Sequence, residues 1–216
     1  MKVNEIFSSI QGEGKLQGVP SVLVRLVGCN LNCVWCDNRR DKIAWEISHG
    51  ELLNLLSGYG IRNVILTGGE PFLYSQIELL TNELNEKGYF ITIETNATII
   101  KSVKADLISM SPKLSHANVK GEIVTIDYDV IQYYVDNYNY QLKFVVKNEN
   151  DFLDVQHILG ELNDIDYNNV FMMPLASSLA ELTEIQKEIV RLCIKYRYRY
   201  ANRLQLQIWD GGEEDL

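Results

Sequence analysis

Apolar residues along this chain fall into two rhythms. Short runs rich in valine and isoleucine occur at residues 3–7, 22–27, 63–66, 90–94, 106–110, 141–146, 170–173 and 204–209, and they predict strands. Several are continuous rather than alternating, as strands buried on both faces are. Between them, apolar positions recur at helical spacing. Residues 46–56 carry Leu52, Leu53, Leu55 and Leu56, and residues 75–87 carry Ile77, Leu80 and Leu84 ahead of Gly88, a C-terminal stop signal. Residues 127–137, 151–162 and 180–196 complete the predicted helices. Strands alternating with helices imply βαβ units and a mostly parallel sheet. The strands are too few for a closed eight-fold barrel of ordinary length. The expected fold is therefore α/β, an open or partial βα barrel with its site at the C-terminal strand ends. With no repeat or linker in view, residues 1–216 read as one domain, ending in a short acidic tail over 210–216.

Composition narrows the function classes. The net charge of -9 lacks the basic footprint that a nucleic-acid surface needs. No apolar run reaches the ~20 residues of a membrane span, and the first residues show no signal-peptide core, so a cytoplasmic protein is expected. Four cysteines are present, and three of them crowd into eight residues. That clustering suits metal binding in a reducing compartment better than a disulfide framework.

The crowded stretch is Gly28-Cys29-Asn30-Leu31-Asn32-Cys33-Val34-Trp35-Cys36-Asp37, with spacing C-x3-C-x2-C. Three thiolates can grip one metal centre but leave it a ligand short. One reading is a zinc knuckle that recruits His49 or an acidic side chain. The other is an iron–sulfur cluster with one open iron, beside which Trp35 could pack a planar ligand. A second motif, Thr67-Gly68-Gly69-Glu70-Pro71, directly follows the strand at 63–66. Its glycines allow a ligand to approach the backbone closely. Within 22–27, Arg25 is the one polar residue of an apolar strand, and a charge there calls for a partner or ligand. His49, His116 and His157 show no ligand spacing.

A C-x3-C-x-aromatic-C loop followed by a Gly-Gly-Glu-Pro turn resembles the radical S-adenosylmethionine (SAM) superfamily. The segments Ile10-Gln11-Gly12-Glu13-Gly14, Arg25 four residues before Cys29, Ser111-Pro112-Lys113, and Arg203-Leu204-Gln205 resemble the 7-carboxy-7-deazaguanine synthase family of that superfamily. Residues 118–164 carry the likeness by position alone. The resemblance implies that Cys29, Cys33 and Cys36 hold a [4Fe-4S] cluster whose fourth iron chelates SAM. It further implies SAM contacts from Trp35, Cys36, Asp37, Gly68, Gly69, Glu70, Ser111, Pro112, Lys113, Met173, Pro174, Leu175 and Ala176. Asn96 is a further strand-end candidate for the SAM side.

The implied substrate is 6-carboxy-5,6,7,8-tetrahydropterin, contacted by Ile10, Gln11, Gly12, Glu13, Arg25 and Thr67, with Arg25 as the carboxylate partner. The implied reaction contracts its ring to 7-carboxy-7-deazaguanine with loss of ammonia, as in queuosine-type 7-deazapurine biosynthesis. The family also implies Mg2+, a flavodoxin-like or ferredoxin-like electron donor, and a homodimer. Two positions depart from its pattern. Asn38 stands where a Thr or Ser binds Mg2+, and its amide oxygen is itself a hard ligand. Gln205 stands where a histidine is usual. The alternatives are a radical SAM activase acting on a partner's backbone glycine and a non-catalytic zinc or iron–sulfur module.

Overall fold

The computed structural model describes residues 1–36, 43–118 and 126–210. The chain opens with a hairpin of β1 (Lys2–Ile10) and β2 (Pro20–Leu26), followed by a short edge strand, β3 (Trp45–Glu46). From there strands and helices alternate: α1 (His49–Tyr59), β4 (Asn63–Gly68), α2 (Ile77–Glu86), β5 (Phe90–Thr95), β6 (Leu107–Met110), α3 (Tyr128–Asn137), β7 (Tyr140–Val146), α4 (Glu149–Gly160), β8 (Val170–Pro174), α5 (Leu179–Tyr196), β9 (Arg199–Tyr200) and α6 (Leu204–Trp209). The nine strands form one sheet in the order β3-β1-β2-β4-β5-β6-β7-β8-β9. β1 runs antiparallel to both neighbours, and β2 through β9 are parallel. Among the described residues the sheet does not close, as expected of a partial βα barrel.

Local chemistry explains the helix ends. Ser48 and Glu51 form a reciprocal capping box, so α1 starts at His49 rather than at Glu46, which pairs with Lys2 in the sheet. Gly60 takes a left-handed conformation (φ 67°) and ends α1. Asp127, Asn148 and Ser178 cap α3, α4 and α5 through their side chains. Among the described residues, no helix is long and apolar enough to cross a membrane.

One predicted element is of the wrong type. Residues 204–209 alternate Leu-Gln-Leu-Gln-Ile-Trp and predict a strand, yet they form the short helix α6. Its start is tied across the fold, where Leu204 N–H donates to the Gly12 carbonyl (3.1 Å). At its other end the Leu179 N–H donates to Asp210 Oδ1 (2.6 Å). These tertiary anchors override a six-residue alternation. β3 and β9, two residues each, carry too little pattern to be predicted.

The sheet has two unlike faces. Val22, Val24, Val64, Leu66, Ile91, Ile93, Ile108, Leu142, Phe144 and Met172 are fully buried and belong to the main core shared with the helices. Each such side chain contributes roughly 1.5–3 kcal/mol on leaving water. The intervening positions point the other way. On that side the register aligns Glu5 with Arg25, Arg25 with Thr67, Glu94 with Ser109, and Ser109 with Gln141. Because Leu66 pairs with Ile93, Thr67 and Glu94 also stand side by side. A polar row therefore crosses the inner face of the sheet just before its C-terminal rim.

Candidate active site

The cysteine loop leaves β2 at that rim and is stapled to the glycine turn after β4. Gly69 N–H donates to the Leu26 carbonyl (2.9 Å), and Glu70 N–H donates to the Gly28 carbonyl (2.7 Å). A Cβ on Gly69 would lie 1.8 Å from Gly28 O, and Gly68 sits at φ 111° against the Leu26 backbone. The pair is thus required for close approach by the chain itself. Glu70 turns inward beneath the loop. It is buried and accepts from Phe72 N–H (3.0 Å), Thr95 Oγ1 (2.8 Å) and Asn96 N–H (2.7 Å). Burial pushes its carboxyl up, against the opposing pull of those hydrogen bonds. Asn96 then reaches the loop, its Nδ2 donating to Asn30 Oδ1 (2.9 Å) and lying 3.9 Å from Cys29 Sγ.

The second half of the loop leans on the segment after β6. Val34 N–H donates to the Ala117 carbonyl (3.1 Å), and Trp35 Nε1–H donates to His116 Nδ1 (3.1 Å). Cys29 and Cys36 are exposed and Cys33 is partly so. All three line a cavity of about 910 Å³. Among the described residues, no three His, Cys, Asp or Glu side chains converge on a single-ion site. His49 is far from serving as a fourth ligand, since Glu83 (2.7 Å) and the Tyr74 hydroxyl (2.9 Å) engage its two ring nitrogens. Three soft thiols opening together into one cavity, on a loop whose root the glycine turn braces, form a donor set suited to an iron–sulfur cluster.

Opposite the cysteines the cavity floor is charged. Lys143 Nζ lies 2.5 Å from Glu13 Oε2 and 3.6 Å from Glu94 Oε1. Gln205 Nε2 donates to Glu13 Oε1 (2.7 Å), and Arg203 Nε is 3.5 Å from the same oxygen. Glu94 in turn accepts from Thr67 Oγ1 (2.8 Å) and Gln11 Nε2 (3.2 Å). Burial alone would push the Glu13 carboxyl up. The Lys143 and Arg203 charges and the Lys143 and Gln205 hydrogen bonds reverse this and hold it at about 2. Burial likewise pulls Lys143 down, but Glu13 and Glu94 more than offset it and leave the ammonium firmly charged. With Lys113 at the cluster side, three cations face two carboxylates in this cavity of a strongly acidic chain.

The residues expected from sequence divide into three groups. Cys29, Cys33, Trp35, Cys36, Gly68, Gly69, Asn96, Ser111, Lys113, Met173, Glu13 and Thr67 line the cavity. Lys113 donates to Ser111 Oγ (2.8 Å) and lies over the Trp35 ring. The second group stands behind the lining. Gln11 and Gly12 brace Glu13 and α6, a Cβ on Gly12 would strike Gln205 Oε1 at 2.1 Å, and Ile10 ends β1 opposite Pro20. Pro112, Pro174, Leu175 and Ala176 flank lining residues, with Ala176 in a small core beside Leu206. Glu70 is a buried brace. Arg25 is paired with Glu5 (3.0 Å) and is not among the cavity-lining residues. The third group, Asp37 and Asn38, lies outside the described residues.

Sequence reasoning passed over Glu94, Ser109, Lys143 and Arg203, all at the cavity. The signal for the first three was present: each is a polar residue inside an apolar strand, the same feature that singled out Arg25.

The comparisons with known proteins agree with this geometry. The sequence model of the Radical SAM superfamily matches residues 23–175. The 7-carboxy-7-deazaguanine synthase of Halobacterium salinarum is 34% identical over 99% of this chain and 92% of its own length. That of Aquifex aeolicus is 32% identical over 90% of this chain and 88% of its own. The crystal structure of QueE from Escherichia coli superposes with a TM-score of 0.73 at 25% identity, over 94% of this chain and 93% of that one. The chain therefore belongs to the radical SAM superfamily, and within it to the family of the 7-carboxy-7-deazaguanine synthases.

Proposed function

We propose that this protein converts 6-carboxy-5,6,7,8-tetrahydropterin to 7-carboxy-7-deazaguanine with release of ammonia. The observation that carries the reading is a single cavity lined by three cysteines, the glycine turn, and a set of three cations and two carboxylates. Full-length relatives named for this activity leave the activase and the bare metal module unfavoured.

In this reading Cys29, Cys33 and Cys36 hold the [4Fe-4S] cluster. SAM would be held by Gly69, Trp35, Ser111, Lys113 and Met173, which line the same cavity. When bound, cluster and SAM together supply the one-electron cleavage that yields a hydrogen-abstracting radical. The chain's own residues bind, orient and shield. Thr67, its hydroxyl held by Glu94, and the Glu13 carboxylate, held anionic by Lys143, present fixed polar atoms to a flat heterocycle. Lys143 and Arg203, with Lys113 on the cluster side, give the cavity one cation more than its two carboxylates, a bias that favours the substrate's carboxylate. Arg25, at the β2 end of the same polar row, acts through Glu5 and the strand register. Asn38 offers an amide oxygen for Mg2+. We further propose one catalytic domain over the whole chain, a cytoplasmic homodimer, and reduction by a small flavodoxin-like or ferredoxin-like protein.

The test is an anaerobic assay of the reconstituted protein with 6-carboxytetrahydropterin, SAM and a reductant. The expected result is 7-carboxy-7-deazaguanine and ammonia in equal amounts, abolished by Cys33→Ala. SAM cleavage with no ring-contracted product would overturn the proposed substrate.

A further inference from the structure

The two halves of the cysteine loop are held by different means. Cys29 is next to the glycine staple and the Asn30–Asn96 bond. Cys33 and Cys36 flank Trp35, and the ring of Trp35 is fixed from outside the loop. Its indole N–H donates to His116 Nδ1 at 3.1 Å, which leaves Nε2 to donate to the Val145 carbonyl at 3.1 Å. The His116 side chain is only 7% exposed, with Asp151 Oδ2 a further 3.7 Å from Nε2. Both ring nitrogens are thereby committed, one to the loop and one to the cavity end of β7.

We propose that His116 is a positioning residue for the cofactor site. By accepting the Trp35 indole N–H it fixes the aromatic ring between two cluster ligands, and with it one wall of the SAM site. This rests on the cluster and SAM of the family and not on the pterin substrate. A backbone bond, Val34 N–H to the Ala117 carbonyl, also ties the loop to this segment. That bond sets the position of the main chain but cannot set the rotation of the indole. The ring packs against the small core of Val145, Phe171 and Met173, and within that packing its rotation is fixed by the one polar atom the indole has, a donor that needs an acceptor when enclosed. His116 supplies that acceptor, and the Val145 carbonyl fixes which nitrogen it presents. Lys113, 5.2 Å from the ring centroid, packs on the ring face and so depends on the same rotation.

The experiment compares His116→Leu with His116→Asn in anaerobically reconstituted protein. Iron content, SAM affinity by equilibrium dialysis, and the electron paramagnetic resonance signal of the reduced cluster with and without SAM are measured. Asparagine Oδ1 takes the place of Nδ1 and keeps the acceptor; leucine removes it. His116→Leu is expected to bind SAM about tenfold more weakly and to blunt the change that SAM makes in the cluster signal, the effect of losing one enclosed hydrogen bond. His116→Asn should stay within about twofold of wild type. Trp35→Phe should cost less when added to His116→Leu than when made in the wild-type protein, because the bond is already gone. Wild-type SAM affinity in His116→Leu, or equal loss in the leucine and asparagine variants, would overturn the proposal. Should His116→Leu fail to fold, His116→Gln decides. Its amide reaches toward Nε2 and leaves the indole unmet, so SAM binding equal to that of His116→Asn refutes the role. A wild-type enzyme that binds SAM normally but does not turn over the pterin would strike the proposed substrate and leave these readouts standing.

Discussion

Lys143→Met keeps an unbranched side chain, one atom shorter, and deletes its charge. In the wild-type protein the ammonium lies 2.5 Å from Glu13 and 3.6 Å from Glu94, with its own side chain only 6% exposed. Removing one partner of a buried pair leaves an uncompensated charge, at a cost of about 3–5 kcal/mol. Arg203, 3.5 Å from Glu13, remains and places this case toward the lower end. A loss of about 3 kcal/mol lowers the melting temperature by roughly 6–12 °C for a chain of this size. The pH dependence discriminates further. In the wild type Glu13 sits at about 2, below its ordinary 4.5, so its contribution is present above pH 4.5 and is lost as pH falls toward 2. Without Lys143, burial raises the Glu13 carboxyl. A raised folded-state value means the variant gains stability relative to wild type as the solution is acidified from pH 7 to pH 5. The assay is anaerobic urea unfolding at both pH values, with Glu13→Gln and the double variant to complete a cycle. The double variant should recover most of the loss. A wild-type-to-variant gap that is the same at pH 7 and pH 5, or one below about 1 kcal/mol, would refute the account of a carboxylate held ionised by this lysine.

Gly69→Ala forces a methyl group into the Gly28 carbonyl, so the cysteine loop must move. Iron per chain after reconstitution is expected to fall severely, and full loading would contradict the staple. Glu70→Gln keeps one acceptor but turns an amide N–H2 toward a backbone N–H. The expected cost is about 1–3 kcal/mol, read from thermal unfolding. Arg203→Met removes a cavity cation while leaving the cysteines untouched. It should raise KM for the carboxylated pterin about tenfold, equivalent to losing one charge-assisted hydrogen bond, with SAM affinity unchanged; an unchanged KM would remove Arg203 from the substrate side.

The sequence was most legible where a local rule coincides with a global one. Apolar runs of valine and isoleucine lie in seven of the strands because their outward faces form the main core, and the cysteine spacing is chemistry written within one loop. Legibility fails where a side chain's role is set by a partner far along the chain. Glu70 and Gly69 read as ligand contacts from their motif. The structure gives Glu70 to Thr95 and Asn96, and makes Gly69 a close-packing position against Gly28 that also borders the cavity. Arg25 reads as a charge that calls for a partner or ligand, and by resemblance as the substrate's carboxylate partner; the antiparallel register gives it a protein partner from β1, Glu5.

The same register turns the failure into a rule. A polar residue inside a buried strand is informative in proportion to how many neighbouring strands carry one at the same height, because only then does the sheet concentrate them. Thr67, Glu94, Ser109 and Gln141 satisfy that condition across four consecutive strands, and Lys143 follows Gln141 two residues on, on the same face. The alternation at 204–209 has no such support. α6 instead brings Gln205 to Glu13 across 192 positions of sequence. No local pattern encodes that contact, which braces Glu13 where it lines the cavity.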